Sequence, residues 1–428
     1  MRGYSREFWK GMPVLFLGLA GHSMLFLLPR YFEAHGLARW QIGLGEGAYW
    51  MASVLIQPWL GRRLDRGDRR IYLAAGSLAM GLVALSYLAL PVDPFTVVLF
   101  RALQGLALAV FFTSLWAWVS ELVVPARMVE MLGLFGISGL VGTALGPSLG
   151  EAVLARQGYP GVFAGAAGLM VLAGLTVLTF APQRVEAGVA AASSGFWRLA
   201  ASPALLAPLL SCLSFGISMG TLVGFAAPYT ASLHLPGVGW FFSPYFLMSG
   251  VTRLVWGDRT DRAGAARVIP PALLLLAGGV GGLSLLAAEG WRGVPLLVAA
   301  GLLGGVGDGL VYPAMSALVI QRAGPSARGR GMSLVTGTVN LGAFTGALVA
   351  GLAAHLAGYP AMCFLMGALM ALATLLFALL EARRPPLLLE TGPLPASPGA
   401  PSQGQGERAS AEDFPSPSSQ KSGGRKPP

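Results

Sequence analysis

Read by hydropathy alone, the chain alternates between long apolar stretches and short polar breaks. Twelve stretches reach the about 20 residues that a helix needs to cross a hydrocarbon core ~30 Å thick. They fall at 11–30, 41–60, 71–91, 95–120, 131–153, 161–181, 203–228, 237–256, 269–288, 294–320, 332–354 and 361–381. Lipid offers the backbone no hydrogen-bond partner, so each segment must satisfy its own N–H and C=O groups, and helices do this. Alternating segments of about ten residues, the mark of a membrane barrel, are not seen.

The longest polar interruption, 182–202, divides the stretches six and six. The two sets resemble each other. Gly-Tyr-Pro at 158–160 returns at 358–360, and in the same register Gly146 falls on Gly346, Gly105 on Gly305 and Ala117 on Ala317. The expected architecture is all-α and integral to the membrane. Twelve transmembrane helices form two pseudo-symmetric six-helix bundles, 1–181 and 203–381, joined by a cytoplasmic linker at 182–202. Residues 382–428 hold ten of the thirty prolines, with Ser, Gly and Gln between them. Such a segment cannot bury enough apolar surface to offset its ordering entropy, and a disordered cytoplasmic tail is expected.

Composition agrees: 54% of residues are hydrophobic, 11% are charged and the mean hydropathy is +0.65, which excludes an ordinary soluble protein. The net charge of +10 invites a nucleic-acid reading, but its distribution dismisses it. If both termini are cytoplasmic, the inner segments before the tail hold eighteen Lys and Arg, four of them in 253–267 beginning with Arg253; the outer loops hold four, Arg30, Arg39, Arg156 and Arg292. That is the positive-inside pattern of a multi-pass protein in a bacterial-type inner membrane. Its lipid is a partner and nucleic acid is not. Cys212 and Cys363 lie inside spans and read as small packing residues. No zinc-protease, nucleophile-elbow or Walker signature is found, and no histidine pairs with cysteine at metal-ligand spacing. The sequence therefore points to no enzyme, metal or cofactor.

Charge is concentrated in GRRLDRGDRR at 61–70, echoed by GDRTDRAG at 257–264. Gly61 and Gly257 are expected to let the chain turn and approach a neighbour closely. The aspartates go beyond what a positive-inside loop requires. In Gly61, Asp65, Arg66, Arg69 and Arg70, and in Gly257, Asp261, Arg262, Gly264 and Arg267, the chain resembles the major facilitator superfamily of secondary transporters. Asp68 stands where that family's loop motif usually has glycine. Arg101, Gln104 and Gly105 resemble its span-4 motif. Gly142, Gly146, Pro147 and Gly150 resemble the span-5 packing motif of its antiporter branch, which here departs at Glu151. The resemblance covers 11–381. It implies alternating access, with two bundles rocking about a central site, and a functional monomer. The arginine-rich loop would be a cytoplasmic latch, with Asp65 facing the helix start near 331–333 and Arg127 as a charge partner.

Ionisable groups within spans are functional candidates by default, because each costs roughly 2.5–3.5 kcal/mol at mid-bilayer. Asp308 lies deep in span 10 with Tyr312 one turn along the same face. In the family, spans 1, 4, 7 and 10 line the cavity, so Asp308 reads as a proton carrier or partner of a cationic substrate, or as a structural carboxylate. Glu46 and Arg101 lie at equal depth and can pair; Glu151 is a rival partner for Arg101. His22 can join the relay or be a packing residue. Ser211, Ser214, Ser218 and Thr221 share one face of span 7, and Gly216, Gly220 and Gly224 the other. Phe111, Phe112 and Trp116 of span 4, with Tyr245, can wall an organic substrate or simply pack.

The function expected is proton-coupled efflux of a small organic molecule. Uptake of a sugar or organic acid, or a non-transporting sensor or scaffold with the same fold, are the alternatives. Asp65→Asn should leave expression intact and cut transport; wild-type turnover in that variant would remove the latch.

Overall fold

The computed structural model describes residues 5–64, 67–122, 128–181, 196–289, 293–324 and 327–383, and its described residues are almost entirely helical. Most of the expected linker, the expected tail from residue 384, and Asp65, Arg66 and Arg127 lie outside the described residues. The helices are α1 (Arg6–Met24), α2 (Leu28–Ala34), α3 (Arg39–Leu55), α4 (Gln57–Leu64), α5 (Arg69–Ser86), α6 (Pro94–Ser120) and α7 (Met128–Val177). A short α8 (Phe196–Ala200) precedes α9 (Leu206–Ser232), α10 (Gly239–Ala263), α11 (Ala265–Gly282), α12 (Leu286–Glu289), α13 (Gly293–Ala323) and α14 (Arg328–Ala382). Among the described residues, seven helical stretches are long and apolar enough to cross a membrane.

Two of those stretches are bent pairs. α7 breaks at Gly158 (φ 69°, ψ −170°) and α14 at Gly358 (φ 82°, ψ 172°). Both dihedral pairs lie in a region open essentially to glycine. Each break is followed two residues later by a proline, whose fixed φ suits the first turn of a new helix. The repeated Gly-Tyr-Pro is thus a repeated turn, and the helices fall where the hydropathy places them.

Packing repeats as well. Gly142 and Gly146 of α7 seat the backbone of α1 at Phe16 and Ala20, while Gly342 and Gly346 of α14 seat α9 at Leu213 and Ile217. Gly105 of α6 lies against the Tyr49 backbone of α3, as Gly305 of α13 lies against that of Tyr245 in α10. Gly150 continues the first row against Met24 and Leu27, with Pro147 inside the helix. Small residues are what let membrane helices approach closely, since lipid supplies no hydrophobic drive between them. Leu and Phe side chains cover the outer surface instead: Leu82, Phe95, Leu356 and Phe364 are among the most exposed large apolar side chains described.

One sequence expectation is corrected here. Gly61 and Gly257 do not turn the chain; both lie inside helices, α4 and α10, and a Cβ at either would meet open space. The second turn falls instead at Gly264 (φ 85°), immediately before α11. At the opposite end, Asp93 caps α6, accepting from the N–H groups of Phe95 (3.0 Å) and Thr96 (3.1 Å) and from the Thr96 hydroxyl (2.6 Å). These donors, the Thr96 hydroxyl foremost, hold its carboxyl below the usual range. The cap is therefore at full strength at neutral pH and is lost as pH falls through that lowered value.

Alanine at Gly158 or Gly358 should cost about 1–3 kcal/mol, read as a lower thermal midpoint of the purified protein. Unchanged midpoints in both variants would contradict the turn assignment.

Candidate functional site

The first cluster of buried charge lies where α3, α6 and α1 meet. Glu46 and Arg101 are 1% and 3% exposed, and a guanidinium nitrogen of Arg101 donates to Glu46 Oε2. The other guanidinium arm donates to Gln104 Oε1 at 2.8 Å, and the Arg101 guanidinium lies 4.6 Å from the Tyr49 ring centre. The Tyr49 hydroxyl is 3.1 Å from His22 Nε2. Glu46, Arg101, Gln104 and His22 are thus one connected group. Glu46 also reaches the other set of helices: a Cβ on Gly224 of α9 would stand 3.3 Å from its Cγ. Glu46 Oε1, Gln104 Nε2 and His22 Nδ1 keep no protein partner, a costly state for buried polar atoms.

The second cluster joins α10 and α13. Asp308, 3% exposed, accepts from the Ser249 hydroxyl, from the Tyr245 hydroxyl at 3.3 Å and from Arg253 at 3.1 Å. Arg253 keeps about a third of its side chain exposed (32%) and lies 5.5 Å from the Tyr312 ring centre. Tyr312 in turn packs on Phe215 of α9. The two tyrosines correspond: the offset that takes Gly61 to Gly257 takes Tyr49 to Tyr245. Each serves the buried charge of its own half, one through its ring and the other through its hydroxyl.

Span 7 places its hydroxyls inside. Ser211, Ser218 and Thr221 are buried and donate to carbonyls of their own helix, at Pro208, Phe215 and Ile217, so they are already engaged. Ser214 Oγ has no partner. Gly216 and Gly220 pack on α14 at Val339 and Ala343. The aromatic residues of α6 divide. Phe111 is fully buried against Gly18 and Gly76, a packing position inside the first half. Phe112 is 41% exposed and meets Trp116 edge-on.

Glu151 is not brought to Arg101. It spans to the start of α10, accepting from the N–H of Val238 and, at 3.1 Å, from that of Gly239. Alongside, the Ser148 and Ser243 hydroxyls lie 2.9 Å apart and Ser243 donates to Ala144 O at 2.6 Å. A parallel seam joins α2 and α3 to α14: Gly43 lies against Ala347 and Gly351, Arg39 donates to Ala354 O at 3.0 Å, and the Tyr359 hydroxyl donates to Glu33 of α2 at 2.7 Å. Both seams lie at the end with few arginines.

Among the described residues, these ties at the arginine-rich end run within a half. Arg69 pairs with Glu121 at 2.5 Å and donates to Ala117 O; Arg70 donates to Phe180 O at 3.1 Å. Arg322 grips Glu381 with both arms and donates to Ala204 O at 3.2 Å. Arg262 and Arg267 are exposed, and the side chain of Asp261 lies outside the described residues. Leu55, Trp59 and Leu254 are exposed.

Sequence reasoning missed Arg253, counted there among loop cations, and with it Ser249 and Tyr49. The Tyr49–Tyr245 correspondence is the signal that could have found them.

Comparison with known proteins places the chain. The family model described as Major Facilitator Superfamily matches residues 12–287 and 204–414. The chain belongs to the Major Facilitator Superfamily. It is 25% identical over 382 residues to a multidrug resistance protein MdtG of Enterobacter lignolyticus (strain SCF1), covering 86% of this chain and 90% of that one. A protein of the same name from Klebsiella pneumoniae (strain 342) is 24% identical over 381 residues, covering 86% and 91%. In fold it is similar to the nucleoside transporter NupG (TM-score 0.72, 15% identity, 89% of this chain and all of that one). It is similar too to a bacterial homologue of the human lysosomal transporter Spinster, solved inward-facing and occupied (TM-score 0.71, 14% identity, 88% and 96%). It is a multi-pass membrane transporter and not an enzyme.

Removing one partner of a buried ion pair costs about 3–5 kcal/mol, because the other charge is left unanswered. Arg101→Ala should lose that much stability, whereas Glu46→Leu with Arg101→Met should regain most of it and still abolish transport. Thermal unfolding beside a transport assay reads both; equal instability of the single and double variants would contradict the pairing.

Proposed function

We propose that this transporter exports small organic molecules from a bacterial cytoplasm in exchange for protons, by alternating access. The arginine-rich end faces the cytoplasm, as the positive-inside pattern requires, and both termini lie on that side. Residues 1–181 and 203–381 act as the two moving bundles, with 182–202 as their linker and 382–428 as a cytoplasmic tail. The observation that carries the reading is the pairing of a buried carboxylate with an arginine in each half, Glu46 with Arg101 and Asp308 with Arg253.

Each pair stores a choice between two protonation states. While the carboxylate is ionised it neutralises its arginine, at the desolvation cost that any buried charge carries. A proton on Glu46 or Asp308 releases the guanidinium to its remaining partners, Gln104 and Tyr49 in one half, Tyr312 in the other. Proton binding and local geometry are thereby linked, which is what coupling requires. Glu46 touches both halves, so its protonation can be felt at the seam. His22, one contact further along, completes the relay through Tyr49.

The seams favour a conformation closed at the arginine-poor end, and the latch of Asp65, Arg66, Arg69, Arg70, Arg127 and their echo belongs to the opposite state. Arg69 and Arg70 hold their own half rigid in the meantime. The two states need differ by only a few kcal/mol for both to be visited. Efflux rather than uptake is favoured by the likeness to proteins named for multidrug resistance.

In inside-out vesicles with an acidic lumen, a fluorescent organic compound drawn from a broad panel should accumulate and dissipate the gradient. Asp308→Asn should abolish that accumulation while the protein still inserts. Flux in the opposite sense would overturn export, and binding without flux would overturn transport.

A further inference from the structure

We infer that Glu151 is the strap that holds the arginine-poor end of the transporter shut, and that it sets how often that end opens. The inference rests on the alternating-access reading and deepens it. Glu151 stands at the end of the first limb of α7 in one half, yet both its carboxylate oxygens are used by the other half. Oε1 accepts the N–H of Val238 and Oε2 that of Gly239, at the first turn of the 25-residue α10. Those are N–H groups with no helical carbonyl to receive them, at the end of the helix where partial positive charge collects. An ionised carboxylate there makes two charge-assisted hydrogen bonds and meets a favourable dipole at once.

The partner sequence is shaped to receive it. A Cβ on Gly237 would overlap the Glu151 carboxylate, and one on Gly239 would collide with Ser148 Oγ and lie 3.0 Å from Glu151 Oε2. Any larger residue at either position would push the carboxylate off the helix start. The hydroxyl contact of Ser148 with Ser243 lies one turn behind and closes the same seam. Glu151 also occupies the position where the resemblance to the span-5 motif calls for glycine, and glycine could make none of these contacts.

Opening that end requires both hydrogen bonds to break, with water reaching the helix start in their place. The strap is therefore a positioning device: it touches no cargo, but biases the equilibrium between the two open states. Losing a carboxylate at a helix start is a five- to thirtyfold effect, roughly, when the site is partly buried.

The test uses the full chain in liposomes with Cys212→Ala and Cys363→Ala, and spin labels on Arg156→Cys and Ser232→Cys, two exposed positions in opposite halves near that end. The parent should show a dominant short distance. Glu151→Gln, which keeps size and shape, and Gly239→Ala, which attacks the strap from the other side, should each raise the long-distance population by roughly five- to thirtyfold. Unchanged distance distributions in both folded variants would overturn the strap. The distances report closure whatever the cargo or its direction, so the vesicle assay can fail while the strap stands, and the reverse.

Discussion

A charge inside hydrocarbon has to be answered by a partner within reach, and the internal organisation of this transporter follows from how its few buried charges are answered. Glu46 with Arg101 and Asp308 with Arg253 are local solutions, each lying largely within one half. Because their partners travel with them, the halves can move as bodies without stranding a charge in lipid. The price would otherwise be several kcal/mol for each ion exposed. A carboxylate that is stable only while paired is also one whose protonation changes its surroundings. Structural necessity and the proposed proton coupling thus share the same atoms.

The remaining ties differ between the two ends. Arg69, Arg70 and Arg322 bind helices of a single half together at the arginine-rich end, through carbonyls and through Glu121 and Glu381. At the other end Glu151, Ser148, Arg39 and Tyr359 join one half to the other. Small residues make the inter-half contact close without making it deep: Gly43, Ala347 and Gly351 touch backbone to backbone. Glycine contacts of that kind separate without a large side chain leaving a socket, whereas the Phe26 and Phe242 rings, 5.1 Å apart, and Arg39 over the Tyr359 ring have to part when the halves move. Within a half, by contrast, fully buried rings such as Phe111 and Trp118 lock the helices together.

Much of the fold was legible in the sequence because the membrane imposes one rule on every span. Long apolar runs had to be helices, and the Gly-Tyr-Pro repeat marked the breaks that glycine dihedrals now explain at Gly158 and Gly358. Pairing of Glu46 with Arg101 followed from equal depth along neighbouring helices. Depth alone could not exclude Glu151 as a rival, because it says nothing of which way a helix face points. Glu151 in fact faces α10. Arg253 was misread as a loop cation because its charge sits beside the motif of 257–264, and only the rotation of α10 against α13 shows it turned to Asp308. The hydroxyl stripe of span 7 was visible by periodicity, but whether a serine is free or bonded to its own helix is invisible in a sequence. Gly61 and Gly257 carried a turn in the reading and lie inside helices in the structure.

The central claim is that two internally tied halves swing as rigid bodies about a closed end. Spin labels at Arg63→Cys and Gly329→Cys span the halves at the arginine-rich end, while Arg63→Cys with Thr179→Cys stays within one. In lipid nanodiscs stepped between alkaline and acidic pH, the account predicts that the first distance shifts between a long and a short population and the second holds constant. A distance within the half that changes together with the distance across it, or an inter-half distance that never changes, would contradict it.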